Sequence, residues 1–293
     1  MDSREKAILK TLLYADIFNF PLSEKEIFNY LISDHKVKLE DLREVLKASN
    51  LPINSSKKYF FLYGRDNLVQ KRIRREKINI KKFRKAKKII RIIGGIPGVR
   101  FIGVSGGLSM QNAEEDDDID LFVITKNNFL WSTRMFLLMF LNILGVYRNR
   151  GSKDLKDKIC LNMIIDEERI SFKEKKQNLY LAHEIIQLLP VFERDNTYHD
   201  FVAANSWVSK FLPNAQLQKN SLFKKKESVY EKLLIYILKF FLIEKITKFV
   251  QLIYMKNHIT RETVGKKILA FHPFDYEVYI LNAYREKTKK FKL

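Results

Sequence analysis

The chain has 293 residues, 46% hydrophobic and 13% aromatic, which is enough to bury sizeable cores and excludes a wholly disordered polymer. Its one cysteine, Cys160, excludes an internal disulfide and a cysteine-built zinc site. A formal net charge of +20 calls for a polyanionic partner or substrate, and the polar opening Met1-Asp2-Ser3-Arg4 is that expected of a cytoplasmic protein.

Residues 1–68 predict a small helical module closed by a hairpin. Ile8, Leu12, Leu13 and Ile17 form a helical stripe. Ser23 and Glu26 have the spacing of a capping box, with Leu22 and Ile27 where a hydrophobic staple would close the same helix start. A third helix turns Leu39, Leu42, Val45 and Leu46 inward and stops near Asn50. A polar turn is expected at Asn54-Ser55-Ser56, before the aromatic strand Tyr59–Tyr63. Three helices and a two-stranded wing make the winged-helix arrangement, which reads nucleic acid or mediates protein contacts. Residues 1–70 carry 11 Lys/Arg against 10 Asp/Glu, too balanced for a strongly basic DNA reader.

Residues 69–94 predict a connecting helix. Lys71 to Arg91 holds 12 Lys/Arg and one acid, Glu76, while Ile73, Ile80, Phe83, Ala86, Ile90 and Ile93 recur at helical intervals. So many cations without acidic partners would repel one another, so an anion-facing role is favoured over a plain solvated helix. Lys81, Lys82, Arg84, Lys85, Lys87 and Lys88 are the candidate polyanion contacts, with RNA or DNA as the partner. The apolar stretches 129–146 and 233–250 contain Arg134 and Asn142, and Lys239, Glu244 and Lys245; both predict buried or amphipathic helices and no membrane partner. Residues 213–293 read as a mostly helical, basic C-terminal region, with 17 Lys/Arg against 7 Asp/Glu from Lys219 onward.

The chemistry lies in residues 95–212. An apolar strand, Val99–Val104, runs into Ser105-Gly106-Gly107, and a second strand opens with Asp118-Ile119-Asp120-Leu121. Residues two apart in a strand face the same way, so Asp118 and Asp120 share a face while Ile119 and Leu121 enter the core. Paired carboxylates repel unless a cation lies between them, and hard oxygen donors suit magnesium or manganese. Glycines let backbone N–H groups approach a phosphate, with Ser105 and Ser109 as further candidate contacts. These are the parts of a metal-dependent nucleotidyl-transfer site.

Gly106-Gly107, a ten-residue gap and Asp118-Ile119-Asp120-Leu121 resemble the signature of the polymerase-β-like nucleotidyltransferase superfamily, with Ser105 where an apolar residue is usual. The resemblance implies an α/β fold with a mixed sheet flanked by helices. It also implies that Asp118 and Asp120 bind the metals bridging a nucleoside triphosphate. A third carboxylate, from a later strand, is implied to activate the acceptor hydroxyl. Ile159–Asp166 is the candidate strand: Asn162 has the mid-strand position but is an amide, and Asp166 has the right chemistry nearer the strand's end. Without a third acid the chain would be a nucleotide-sensing, nucleic-acid-binding regulator.

Gly103-Val104-Ser105-Gly106-Gly107 also fits a hydrolase nucleophile elbow, with His199, His258 or His272 as the base, but too few strands precede it. Asp116, Asp118 and Asp120 mimic a calcium loop that lacks its glycine and closing glutamate. Glu184 of His183-Glu184 could orient a ligand but is read first as an ordinary helix polar residue, Trp207 and Phe211 as packing rather than base stacking, and Arg134 as a partner of the acidic cluster or of a phosphate. Oligomeric state, acceptor and base preference are not legible.

Overall fold

The computed structural model describes residues 1–48, 50–149, 151–218, 221–256, 263–271 and 276–293, apart from the Phe240 side chain. The chain begins with α1 (Ser3–Ile17), β1 (Leu22–Ser23), α2 (Glu24–Asn29), α3 (Leu39–Ala48), β2 (Ile53–Ser56) and β3 (Tyr59–Leu62). The capping box forms: Ser23 Oγ accepts from the Glu26 N–H, and the Glu26 carboxylate accepts from the Ser23 N–H at 2.8 Å. Leu22 and Ile27 share one core with Ile8, Leu12, Leu13, Leu42 and Val45.

Two details differ from the sequence expectation. Leu22–Ser23 pairs with β3, giving a three-stranded sheet in the order β1-β3-β2. Asn54, Ser55 and Ser56 are strand residues, and the turn falls at Lys57, whose φ is 56°. As an edge strand whose side chains face water, β2 shows no apolar alternation to betray it.

α4 (Asn67–Ile93) buries Ala86, Ile90 and Ile93 as its periodicity predicts, but Ile80 faces solvent and Arg72, Asn79 and Lys82 turn inward. Many of these cations find acids, most of them supplied by other segments. Arg72 donates to Glu26 at 2.8 Å and to Glu76 at 3.2 Å, and stacks over Phe20 with its guanidinium carbon 3.8 Å from the ring centre. Lys82 donates to Asp157 at 3.0 Å and to the Asp117 carbonyl at 2.6 Å; Arg74 and Arg75 hold Glu114. The basic run therefore does not lack acidic partners. Lys82 is removed from the candidate polyanion contacts, because its ammonium is buried against Asp157 and the Asp117 carbonyl and does not face solvent. Lys85 also pairs with Asp157 but stays exposed, as do Lys81, Arg84, Lys87 and Lys88.

The larger sheet starts with β4 (Val99–Val104), α5 (Gly106–Ser109), β5 (Ile119–Thr125), α6 (Leu130–Ile143), β6 (Ile159–Asp166), α7 (Leu179–Gln187), β7 (Leu189–Arg194) and α8 (Thr197–Ala204). The rest comprises β8 (Phe223–Lys225), α9 (Val229–Phe240), α10 (Ile243–Lys256), β9 (Thr263–Val264), β10 (Ile268–Ala270) and α11 (Tyr276–Lys290). Seven strands run in the order β8-β7-β4-β5-β6-β10-β9, with β5 parallel to β6, β7 parallel to β8, and the other pairs antiparallel. The fold is a mixed α/β one, a mixed sheet flanked by helices. The C-terminal region, expected to be helical, also forms both edges of this sheet. Strands of two or three residues are too short to show a period of two.

Alternation along β5 assigns its faces. Leu121 and Val123 enter the core under α4, α6 and α10, whereas Phe122 and Ile124 pack beneath α7 and α8. Tyr14 of α1 and Ile280 of α11 join that second core, so the N-terminal module and the C-terminal helix close over the same side. Asp118 and Asp120 share the parity of Phe122 and therefore project toward α7. Among the described residues no helix is long and apolar enough to cross a membrane. Trp207 is buried edge-on to Phe211 at 6.0 Å, a packing contact as expected.

Candidate active site

Asp120 is held where the first strand turns. The Ser105 N–H donates to the Asp120 carbonyl at 3.0 Å, which brings the glycine turn beside the aspartate side chain. Gly106 has φ of 62°, and a Cβ there would lie 2.6 Å from Asp120 Oδ2. A side chain at position 106 would therefore meet both a backbone penalty and a collision with the carboxylate, so glycine is required. Gly106 and Gly107 are the first residues of α5, where helix N–H groups have no intrahelical partner. α5 is a single turn, so these N–H groups, rather than a long helix dipole, are what the turn offers an anion. Ser109 Oγ donates to the Gly106 carbonyl at 2.8 Å and braces the turn.

Asp118, Asp120 and Cys160 bring their ligand atoms within 4.8 Å of one another and form a group able to hold a metal ion. Cys160 arrives there because it pairs with Asp120 in the parallel β5–β6 register. Burial, then the two carboxylates, push the thiol well above its ordinary range, so it stays protonated. Arg148, in the loop before β6, donates to Asp118 at 2.7 Å. Burial pushes the Asp120 carboxyl up to about 7, and the negative charge of Asp118 adds to the shift.

These groups open into a cavity of about 400 Å³. Asp118, Asp120, Arg148, Asn162 and the two glycines form one wall, and α7 contributes Tyr180, His183 and Glu184. Tyr14 of α1 and Phe18 just beyond it close it from the N-terminal module, and Tyr276 and Ile280 of α11 from the C-terminus. His183 is stacked on Tyr14 at 4.1 Å between ring centres; its Nδ1 meets Gln187, and its buried Nε2 has no partner. Burial drives its pKa down to about 3, so the ring is neutral. Burial, with Asp120 adding, pushes Glu184 up to about 7.

The structure thus brings together Asp118, Asp120, Gly106, Gly107 and Asn162, with Ser105 and Ser109 in the adjoining turn. It separates Asp166 from them, which corrects its candidacy as the third site acid. Asp166 pairs in register with Thr125, five positions beyond Asp120, or about 16 Å along the strand. It is buried there, accepting from the Asn128 N–H at 2.8 Å and the Glu168 N–H at 3.0 Å. Arg134 reaches neither the acidic cluster nor the cavity's carboxylates. It donates to Gln251 and stacks on Phe271 at 4.9 Å. His199 lies exposed beside Asp200, while His258 and His272 fall outside the described residues, so Ser105 gains no base from His199. Sequence reading missed Arg148 and the roles of Cys160 and His183, and it ranked a structural role for the cavity-facing Glu184 above a ligand-orienting one. The Cys160–Asp120 pairing was recoverable from the parallel strands, but a helical glutamate carries no signal that separates cavity from solvent.

No family model matches the chain, and neither a curated protein nor a solved structure matches it.

Proposed function

We propose that this protein is a metal-dependent nucleotidyltransferase that moves a nucleoside monophosphate from a triphosphate to an acceptor hydroxyl. The observation that carries the reading is the wedge of Asp120 against Gly106, with Asp118 on the same strand face, at one wall of a cavity. The donor chemistry fits magnesium or manganese. Two carboxylates and the Asn162 amide oxygen are hard donors, whereas the protonated Cys160 thiol is no thiolate ligand. Asp118 and Asp120 would hold the ion, which would polarise the transferred phosphoryl group and offset its charge.

The rest of the mechanism belongs to the chain. The Gly106 and Gly107 N–H groups would meet phosphate oxygens without side-chain hindrance, and Arg148, held by Asp118 at the same wall, would add positive charge. Glu184, with its carboxyl near neutrality, is matched to take the proton of an acceptor hydroxyl, the role first assigned to a strand acid. A cavity of about 400 Å³ is of small-molecule size. Its aromatic wall, Tyr14, Phe18 and Tyr180, suits the face of a base or a ring-bearing acceptor. The element order α1-β1-α2-α3-β2-β3 supports a winged-helix reading of the N-terminal module, but its α3 carries Glu40, Asp41 and Glu44 against Arg43 and Lys47. A recognition helix of that charge is unsuited to DNA phosphates, so the module is read as a wall of the substrate site. RNA or DNA as acceptor rests on the outer cations of α4 alone.

One observation favours a second reading, a nucleotide-sensing regulator: the β6 residue lining the cavity is Asn162, not an acid. Incubation with labelled nucleoside triphosphates, magnesium and candidate hydroxyl acceptors tests both. Label transfer abolished by chelator and by Asp118→Asn supports the enzyme. Saturable nucleotide binding without turnover supports the regulator, and turnover that survives Asp118→Asn would sink the metal-site assignment.

A further inference from the structure

A surface helix normally turns its apolar stripe to the core. α10 does the reverse. Thr247, Gln251 and Met255 are its buried residues, and Gln251 Nε2 donates to the Trp131 carbonyl of α6 at 2.7 Å. The opposite stripe, Ile246, Phe249, Val250 and Ile253, follows i, i+3, i+4, i+7 spacing and is 49% to 67% exposed. α9 repeats the pattern. Ile235 is buried, while Tyr230, Leu233, Leu234 and Ile237 have the same spacing and are 41% to 86% exposed. Two consecutive helices thus present apolar stripes outward, far more than the scattered surface leucines of a monomer.

The charges on these helices are sorted as sharply. Their acids are Glu231 and Glu244, and both turn inward. Glu231 pairs with Arg194 at 2.8 Å, and the Glu244 carboxylate accepts from the Trp131 and Ser132 N–H groups, each at 2.9 Å. Lys232, Lys239, Lys245 and Lys256 remain exposed, with no acid among them. A second copy laid on this surface would oppose lysine to lysine with no compensating carboxylate. Anionic lipid headgroups supply the missing charge, and the acyl boundary takes Leu233, Phe249 and Ile253. Helices of 12 and 14 residues are too short to span a bilayer, which needs about 20.

We propose that α9 and α10 seat this protein on an anionic membrane surface, lying in the interface without crossing it. This departs from the sequence expectation of no membrane partner, which concerned spanning. It does not depend on the nucleotidyl-transfer reading. The test is co-sedimentation of the full chain with phosphatidylcholine vesicles, alone or mixed with phosphatidylglycerol. Binding to the anionic vesicles should be on the order of 10²-fold tighter than to neutral ones, and should weaken as salt rises. Glutamine at Lys232, Lys239, Lys245 and Lys256 should remove that preference. Phe249→Glu with Ile253→Glu should abolish binding, with far-UV circular dichroism unchanged because both side chains are exposed. The milder Ile253→Ser should weaken binding without loss. Three results would overturn the proposal: no binding to either vesicle, preference unaltered by the lysine changes, or a dimer in sedimentation velocity that Phe249→Glu dissociates.

Discussion

Asp120 and Asp166 stand near opposite ends of two neighbouring parallel strands, and both have carboxyls raised by burial. Their surroundings differ in kind. Asp166 accepts two backbone N–H bonds from the turns it organises, at Asn128 and Glu168. Asp120 lies against a glycine, beside a second carboxylate, and faces an open cavity. A buried acid satisfied by backbone N–H groups is an element of structure. One crowded by a like charge at a cavity wall is poised for a cation.

Substitution should separate the two most clearly in activity. Asp118→Asn or Asp120→Asn should lower nucleotidyl transfer by about 10³-fold or more, the equivalent of about 4 kcal/mol, in single-turnover assays with magnesium. Asp120→Asn should not lower the thermal midpoint, since removing one of two adjacent like charges relieves repulsion. Asp166→Ala should reverse the pattern: the folded fraction stays active, while urea unfolding shows a loss of about 2–3 kcal/mol from two charge-assisted hydrogen bonds. Equal activity losses in both variants would break the comparison.

The aromatic wall gives a pH signature. Folded His183 stays neutral down to about pH 3, whereas the unfolded imidazole takes up a proton below about 6.5. Between those values the unfolded state binds the extra proton, so the His183 contribution falls as pH falls. Asp120 and Glu184 act oppositely, since folding keeps them protonated up to about pH 7. The sharp comparison is therefore wild type against His183→Phe. Between pH 7 and 5 the wild type should lose about 2 kcal/mol relative to the variant in urea unfolding. Parallel profiles would mean that His183 is not held neutral.

The smallest effect distinguishes inner from outer cations of α4. If nucleic acid binds there, Lys88→Gln should make the log–log salt slope of binding shallower by about 0.7–0.9, and Lys82→Gln should leave it unchanged. A shift with Lys82→Gln would contradict its burial against Asp157.

The sequence made the frame legible wherever a pattern was local. The strands at 99–104, 119–125 and 159–166 announced themselves by apolar content, and Ser23 with Glu26 announced a helix start. Asp118, Asp120, Gly106 and Gly107 were legible together because strand parity and a glycine turn fix their directions. What failed was non-local. Lys82 meets Asp157 across 75 positions, so its burial has no trace in the basic run. Asn54 to Ser56 looked like a turn because an edge strand needs no apolar face. Glu184 reads as an ordinary helix polar residue until α7 is laid over the end of β5. The outward stripes of α9 and α10 have the spacing of an inward face, and periodicity alone cannot tell the two apart.

Manganese binding followed by electron paramagnetic resonance tests the central claim most directly, because it reads the aspartate pair without needing the acceptor. Wild type and Asp166→Asn should take up the ion alike, and Asp118→Asn and Asp120→Asn should lose it. Uptake that survives both of those changes, or disappears with Asp166→Asn alone, would contradict the account.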